Sequence, residues 1–244
     1  MQKINFRPIQ PDSKVCGHFS NSDLRDINAF KKAFFKIGLQ KNGELTDLSK
    51  VTLSNMFNLP FPKLESNERR LFNTIDSGKV GIFLAKNTDL CFLVDSGFID
   101  TAVVGSDSVV EYKESRSFRV VKDLSKIAKW ALVIATPVKS KVKKLTDIHT
   151  VATQYPKLVK KLLTEIGLIK LRIVKIKGSC EGMVHLSKDI DAIVDLSITG
   201  KTLHDNGLTA WYPPLIHISP VVIANKISLL DNKKRKYFDQ ICKD

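Results

Sequence analysis

Apolar positions recur along this chain with two periods, and the alternation of those periods sets out an order of elements. Residues 21–38, NSDLRDINAFKKAFFKIG, place Leu24, Ile27, Phe30, Phe34 and Ile37 at helical spacing. Ser22 or Asp23 can start that helix and Gly38 can stop it, so a core-packing helix is predicted over the stretch. KVGIFL at 79–84 and DTAVV at 100–104 are short apolar runs bounded by glycine or acids and predict buried strands, with a short helix from Asp89 to Ser96 between them. RSFRVVKDL and WALVIATP continue as strands, and HTVATQYP leads into KLVKKLLTEIG, where Leu158, Leu162 and Leu163 face one way and the lysines the other. RIVKIKG is a further strand, and Ala192, Ile193 and Val194 predict a buried strand ending at Asp195. TLHDNGL reads as a short helix stopped at Gly207, WYPPLIHISPVVIANK as an extended segment returning to a sheet, and the chain closes with a helix from about Leu229.

Repeated β-then-α units predict an α/β fold with mostly parallel sheets and ligands at the carboxyl ends of strands. A chain of 244 residues suffices for one large domain or two lobes. No apolar run approaches the roughly 20 residues of a membrane span, and MQKINFRPIQPDSK has no apolar h-region, so a cytoplasmic protein is expected. The four cysteines lack C-x-x-C spacing, and the five histidines fall in neither ligand nor triad spacing, which predicts reduced thiols and no structural zinc.

Charge changes the picture more. Lys and Arg number 39 against 25 Asp and Glu, a net +14 that raises the question of a polyanionic partner. The clusters KKAFFK, KSKVKK, KLVKK and NKKRK are separate and carry no regular set of aromatics on which bases could stack, so nucleic acid is not the expected partner. Solvated lysine faces and a surface that attracts a phosphorylated substrate both remain open.

The densest chemistry lies in DAIVDLSITGKTLHDNGL, residues 191–208, where Ser197, Thr199, Gly200 and Thr202 follow the acid-terminated strand and Lys201 adds a positive charge. Successive N–H groups at such a turn, with a helix dipole behind them and hydroxyls beside them, suit a phosphate. Asp195 could accept from ribose hydroxyls or hold Mg²⁺ through water. The same residues also make a competent turn and N-cap with no ligand at all.

The neighbouring segments bear on that choice. Ala152 to Pro156, then Gly178 to Glu181, then Asp195 to Leu203 before Asn206 to Leu208 occur in an order that resembles the ATP phosphoribosyltransferase family, the first enzyme of histidine biosynthesis. Upstream, Asp95, Gly97, Asp100, Gly105 and Asp107 fall in places similar to the family's Asp-x-Gly and Gly-x-Asp stretch, so the resemblance covers roughly residues 70–244. It implies a two-lobed fold similar to periplasmic binding proteins of type II, with the active site in the interlobe cleft. Lobe one is expected at residues 1–108 plus the returning segment 208–244, and lobe two at 109–207. The implied reaction is transfer of the phosphoribosyl group of phosphoribosyl pyrophosphate to N1 of ATP with release of pyrophosphate. The resemblance implies that Asp195, Leu196, Ser197, Ile198, Thr199, Gly200, Lys201 and Thr202 cradle the 5′-phosphate, and that Glu181 and Asp195 act at the catalytic centre. Tyr155, Lys86 and Asp107 would then contact the nucleotide, and Mg²⁺ with lysines would offset the charge of the departing pyrophosphate. It also implies a short-form catalytic subunit, a homodimer or higher oligomer that assembles with a histidyl-tRNA synthetase-like regulatory subunit.

Taken residue by residue, Glu181 is equally compatible with a helix cap after KGSC, Tyr155 with a packing tyrosine at a turn, and Asp107 with a helix N-cap. The chain also departs from the family. The basic Lys-Gly-Arg-Leu type turn has no counterpart in FRPIQPDSKVCGHFSNSDL, where Lys14 and Arg25 are the candidates, and Lys86 stands where arginine is usual, keeping charge without the bidentate fork. DLSKIAKWALVIATP likewise lacks the usual glycine, cysteine and arginine pattern. These departures, which lie on the ATP side, leave a divergent or non-catalytic sugar-phosphate-binding homologue as the alternative.

Overall fold

The computed structural model describes residues 21–41, 44–58, 61, 71–112, 117–197 and 199–243. Lys14 and Ile198 therefore lie outside the described residues.

The first lobe begins with α1 (Asn21–Lys32) and β1 (Phe35–Gln40), so the predicted helix over 21–38 divides in two. Helical spacing holds as far as Phe30, which is buried, but beyond it alternation wins: Phe35, Ile37 and Leu39 are fully buried while Phe34 is exposed. Gly38 is a strand residue rather than a stop. A Cβ there would stand 2.4 Å from Ile99 and 2.7 Å from Leu90, so glycine is what lets the next helix layer close onto β1. α2 (Glu44–Phe57), β2 (Phe72–Ile75) and β3 (Val80–Ala85) follow, then α3 (Asn87–Asp95), β4 (Thr101–Gly105), α4 (Ser106–Glu111) and β5 (Phe118–Asp123).

The second lobe comprises β6 (Trp130–Pro137), β7 (Thr150–Thr153), α5 (Pro156–Glu165), β8 (Arg172–Lys175), α6 (Met183–Leu186), β9 (Ala192–Ser197), α7 (Lys201–Asp205), β10 (Leu208–Ala210) and β11 (Ile216–Ile218). The chain then returns through β12 (Pro220–Asn225), α8 (Lys226–Leu230) and α9 (Arg235–Cys242). The C-terminal helix is thus broken in two, and β9 runs two residues past Asp195.

Among the described residues the strands form two sheets, ordered β2-β3-β1-β4-β12-β5 and β10-β6-β9-β7-β8, with β11 also pairing β6. The expectation of mostly parallel sheets is corrected. β1 runs parallel to β3 and β4, and β7 to β8 and β9, but β12, β5, β2, β6, β10 and β11 pair antiparallel. The returning β12 lies between β4 and β5, and β6 between β9 and β10, which accounts for the mixture. The division at 108 and 208 shifts for the same reason: β5 joins the first sheet through β12, while β10 and β11 join the second through β6.

α9 seals one face of the first sheet, with Tyr237 stacked on Phe35 at 4.7 Å and Phe238 edge-on to it at 5.1 Å. Burying each such ring contributes about 1.5–3 kcal/mol. The second lobe packs α5 through Leu158, Leu162 and Leu163, as the sequence pattern predicts, and also through Val159.

Candidate active-site cleft

A cleft of about 960 Å³ lies between the two sheets, lined from the first lobe by Lys86, Asn87, Asp107 and Glu111 among others, and from the second by Tyr155, Lys157, Lys175, Lys177 and Leu196. Its walls come from the turns after β3, β4, β7 and β8, which are carboxyl ends of strands, and from the end of β9.

β4 ends at Gly105, which is the N-cap of α4, so Asp107 is a first-turn residue and not the cap. Its carboxylate folds back over the turn so closely that a Cβ at Gly105 would meet Oδ1 at 2.0 Å. The Gly-x-Asp spacing therefore has a steric cause. Asp107 is 2% exposed, and burial pushes its carboxyl up to about 6 against the pull of hydrogen bonds from Ser108 and its own backbone. Asn87 Nδ2 in turn donates to Ser108 Oγ at 2.8 Å, and Asn87 Oδ1 is buried without a partner.

Tyr155 occupies the N-cap position of α5, ahead of Pro156, and gives it no side-chain cap. Its ring packs at the edge of the second lobe's core and also lines the cleft, so the packing and site readings hold together. Its hydroxyl is held well above the ordinary value, first by burial and then by the charges of Asp107 and Asp195. One ring thus stands within electrostatic reach of a carboxylate from each lobe.

Glu181 precedes Gly182, the N-cap of α6, and does not cap that helix; its Oε2 is buried with no hydrogen-bond partner. Asp195 is 9% exposed, accepts from the Leu196 N–H at 2.8 Å, and is pushed up to about 6 by burial and then by Glu181. Strand alternation puts Leu196, which lines the cleft, on one face of β9 and Asp195 and Ser197 on the other. Leu196 and Val194 join one core of the second lobe, and Ile193 with Cys180 the other. The loop beyond has Gly200 at φ +75° as the N-cap of α7, with Thr199 Oγ1 accepting from Lys201 N–H at 3.3 Å. Thr199, Lys201 and Thr202 are exposed and Gly200 is half-buried.

Of the expected site residues, Lys86, Asp107, Tyr155 and Leu196 line the cleft, while Glu181, Asp195, Ser197, Thr199, Gly200, Lys201 and Thr202 are not among its lining residues. The charges of Asp107 and Asp195 both bear on the Tyr155 hydroxyl. Arg25, exposed on α1, does not line the cleft. Four lysines, Lys86, Lys157, Lys175 and Lys177, do. Three of these were hidden in sequence as ordinary surface charge, since KLVKK and RIVKIKG show only amphipathic alternation. Among the described residues no group of three or more His, Cys, Asp or Glu could hold a metal ion, and no helix is long and apolar enough to cross a membrane.

The profile of the ATP phosphoribosyltransferase family matches residues 86–244. The ATP phosphoribosyltransferase of Ruminiclostridium cellulolyticum is 31% identical over 205 residues, which are 83% of this chain and 92% of that protein, so the likeness extends further towards the N-terminus than the motifs indicated. Among solved structures, a chain of the ATP phosphoribosyl transferase complex of HisG and HisZ from Thermotoga maritima superposes with TM-score 0.64 at 20% identity, covering 85% of this chain and 93% of that one. The periplasmic aliphatic sulphonate binding protein of Escherichia coli does so with TM-score 0.52 at 14% identity, covering 85% and 68%, and supports the two-lobed periplasmic-binding-protein-like fold. With its profile matched across both lobes and a relative aligned over most of its length, this chain belongs to the ATP phosphoribosyltransferase family.

Proposed function

We propose that the chain transfers the phosphoribosyl group of phosphoribosyl pyrophosphate to N1 of ATP, releasing pyrophosphate. The observation that carries this is a cleft between the lobes walled by four lysines together with Asp107 and Tyr155, which come from two separate family segments.

The reaction exchanges one bond at the anomeric carbon for another: the C1′ bond to pyrophosphate breaks with its electron pair leaving on oxygen, and the N1 lone pair forms the new bond. Catalysis consists of aligning two polyanions and matching charge as it develops. The loop around Thr199 to Thr202 holds the 5′-phosphate, with Gly200 in its left-handed conformation as the N-cap of α7 and the exposed Thr199 and Thr202 hydroxyls beside it. Asp195 accepts from ribose hydroxyls. Lys86, Lys157, Lys175 and Lys177 neutralise polyphosphate in the cleft, and Asp107 and Tyr155 border the purine.

Glu181 and Asp195 would hold Mg²⁺. The buried, unpartnered Glu181 Oε2 beside a second carboxylate fits a cation that uses one or two protein carboxylates and takes its remaining ligands from phosphates and water. When bound, the ion supplies charge compensation for the leaving pyrophosphate. The HisG and HisZ complex of Thermotoga maritima supports assembly with a regulatory subunit, and a cytoplasmic location suits a biosynthetic enzyme of this kind.

Calorimetric titration of phosphoribosyl pyrophosphate with Mg²⁺ into wild type and Thr199→Ala, followed by ATP with product detection, tests the reading. Saturable binding weakened about tenfold by the substitution is expected for loss of a hydrogen bond to a charged group, with product appearing on addition of ATP. Absence of binding to the wild type would reduce the loop to a turn, and binding without product in the presence of a regulatory subunit would overturn ATP as the acceptor.

A further inference from the structure

We infer that Glu111 is an interlobe positioning residue: its carboxylate caps helix α5 of the opposite lobe, and this clasp sets the closure of the cleft in which the two substrates meet.

α5 has a deficit at its start. Its N-cap, Tyr155, offers no side-chain acceptor, and Pro156 at the first helical position has no N–H, so the next two amides need an acceptor from elsewhere. Glu111 supplies it from across the cleft. Oε2 accepts from Lys157 N–H at 3.0 Å and Leu158 N–H at 3.1 Å, and Oε1 accepts from Lys157 N–H at 3.3 Å. The bond is returned, since Lys157 Nζ donates to the Glu111 backbone carbonyl at 2.9 Å, at the C-terminal end of α4. Each helix end thus meets the charge its dipole favours, an anion at the start of α5 and a cation at the end of α4.

α4 follows β4 of the first sheet and α5 follows β7 of the second, so these bonds join the two lobes directly. Asp107 lies one turn before Glu111 on the same face of α4, and Tyr155 lies just before the capped amides. The clasp therefore holds the helix that carries Asp107 against the residue that borders the purine, and both clasp partners line the cleft. A capping residue normally belongs to its own helix. Here the helix gains its cap only when the lobes are closed, which couples local helix stability to cleft geometry.

The inference rests on the phosphoribosyl-transfer reading only for the choice of substrate. Its test is amide hydrogen exchange at Lys157 and Leu158 without substrate, together with calorimetric affinity for phosphoribosyl pyrophosphate and for ATP, in wild type, Glu111→Ala and Glu111→Gln. In Glu111→Ala, exchange at these two amides should accelerate and both affinities fall about tenfold, the scale of a lost helix cap. Glu111→Gln should recover most of both, because the carboxamide oxygen still accepts from the two amides. A folded Glu111→Ala protein with unchanged exchange or unchanged affinities would overturn the inference. So would higher affinity, which would make the carboxylate a plug that substrate phosphate displaces. Should Glu111→Ala not fold, Glu111→Asp, whose carboxylate falls one methylene short of the α5 amides, should accelerate exchange at both and weaken both affinities about threefold; no change there would overturn it equally. Exchange that responds as stated while the wild type binds neither substrate would sink the function proposed above and leave the clasp standing.

Discussion

Asp100 in the first lobe and the pair Asp107 and Asp195 beside the cleft are buried to similar depth, at 4%, 2% and 9% exposure, yet they are treated in opposite ways. Asp100 is fully employed. Its Oδ1 accepts from Lys234 Nζ at 2.7 Å and Ser228 Oγ at 2.5 Å, and Oδ2 from the Lys36 N–H at 2.7 Å, tying β1, β4 and the two C-terminal helices together. Asp107 and Asp195 meet no cation among the described residues and accept only from groups in their own or the next residue, and burial raises both to about 6. A carboxylate with matched donors is a fastener. One left short of donors carries a desolvation cost that the fold does not repay, and such a cost marks a place kept open for a ligand.

The largest effect should come from breaking the fastener. Asp100→Ala strips Lys234, whose side chain is 21% exposed, of its counter-ion and should destabilise the protein by about 3–5 kcal/mol in urea unfolding, as removing one partner of a buried pair does. The molecules that remain folded should bind phosphoribosyl pyrophosphate as wild type does. A loss under about 1 kcal/mol, within the range of a surface pair, would erase the contrast.

Asp195→Asn should act the other way round. It should lower kcat/KM by about 100-fold, the scale of losing one electrostatic contact made in the transition state, while the urea midpoint at neutral pH stays level or rises. A drop in stability matching the drop in activity would show that Asp195 is a second fastener.

The two kinds of acid are not separable in sequence, and the reason is physical. Asp100 opens the run TAVV, Asp107 follows it with two residues between and Asp195 closes AIV, so all three border β-branched apolar runs, and what distinguishes them is a lysine or its absence far along the chain. Short-range signals were legible: the strands at Val80 and Thr101, the face of α5 and the glycine stop at Gly207, which takes φ +67°. Family segments carried Tyr155, Glu181 and Asp195. Glu111 and the cleft lysines were not legible, because their roles depend on how the lobes face each other. The helix over 21–38 failed similarly, since pairing of β1 with β3 and β4 overrode a helical spacing that Phe34 and Ile37 extend by coincidence.

The finest test of the contrast is the pH dependence of Asp107→Asn. The folded carboxyl titrates near 6 against an ordinary 3.8, so the unfolded chain ionises first and the folded protein must then hold a proton or a poorly solvated charge. The stability associated with the neutral form is therefore complete below about pH 4 and lost as pH rises through about 6. Asparagine cannot ionise, so variant and wild type should unfold alike near pH 4, and the variant should become the more stable by about 2 kcal/mol above pH 7, under a ceiling of about 3 kcal/mol set by the shift. Urea midpoints at pH 4.5, 6 and 7.5 read this directly. A difference constant across that range would place the effect in packing, whereas a difference that opens between pH 4 and 6 while nucleotide affinity falls would show that the fold tolerates Asp107 for what it binds.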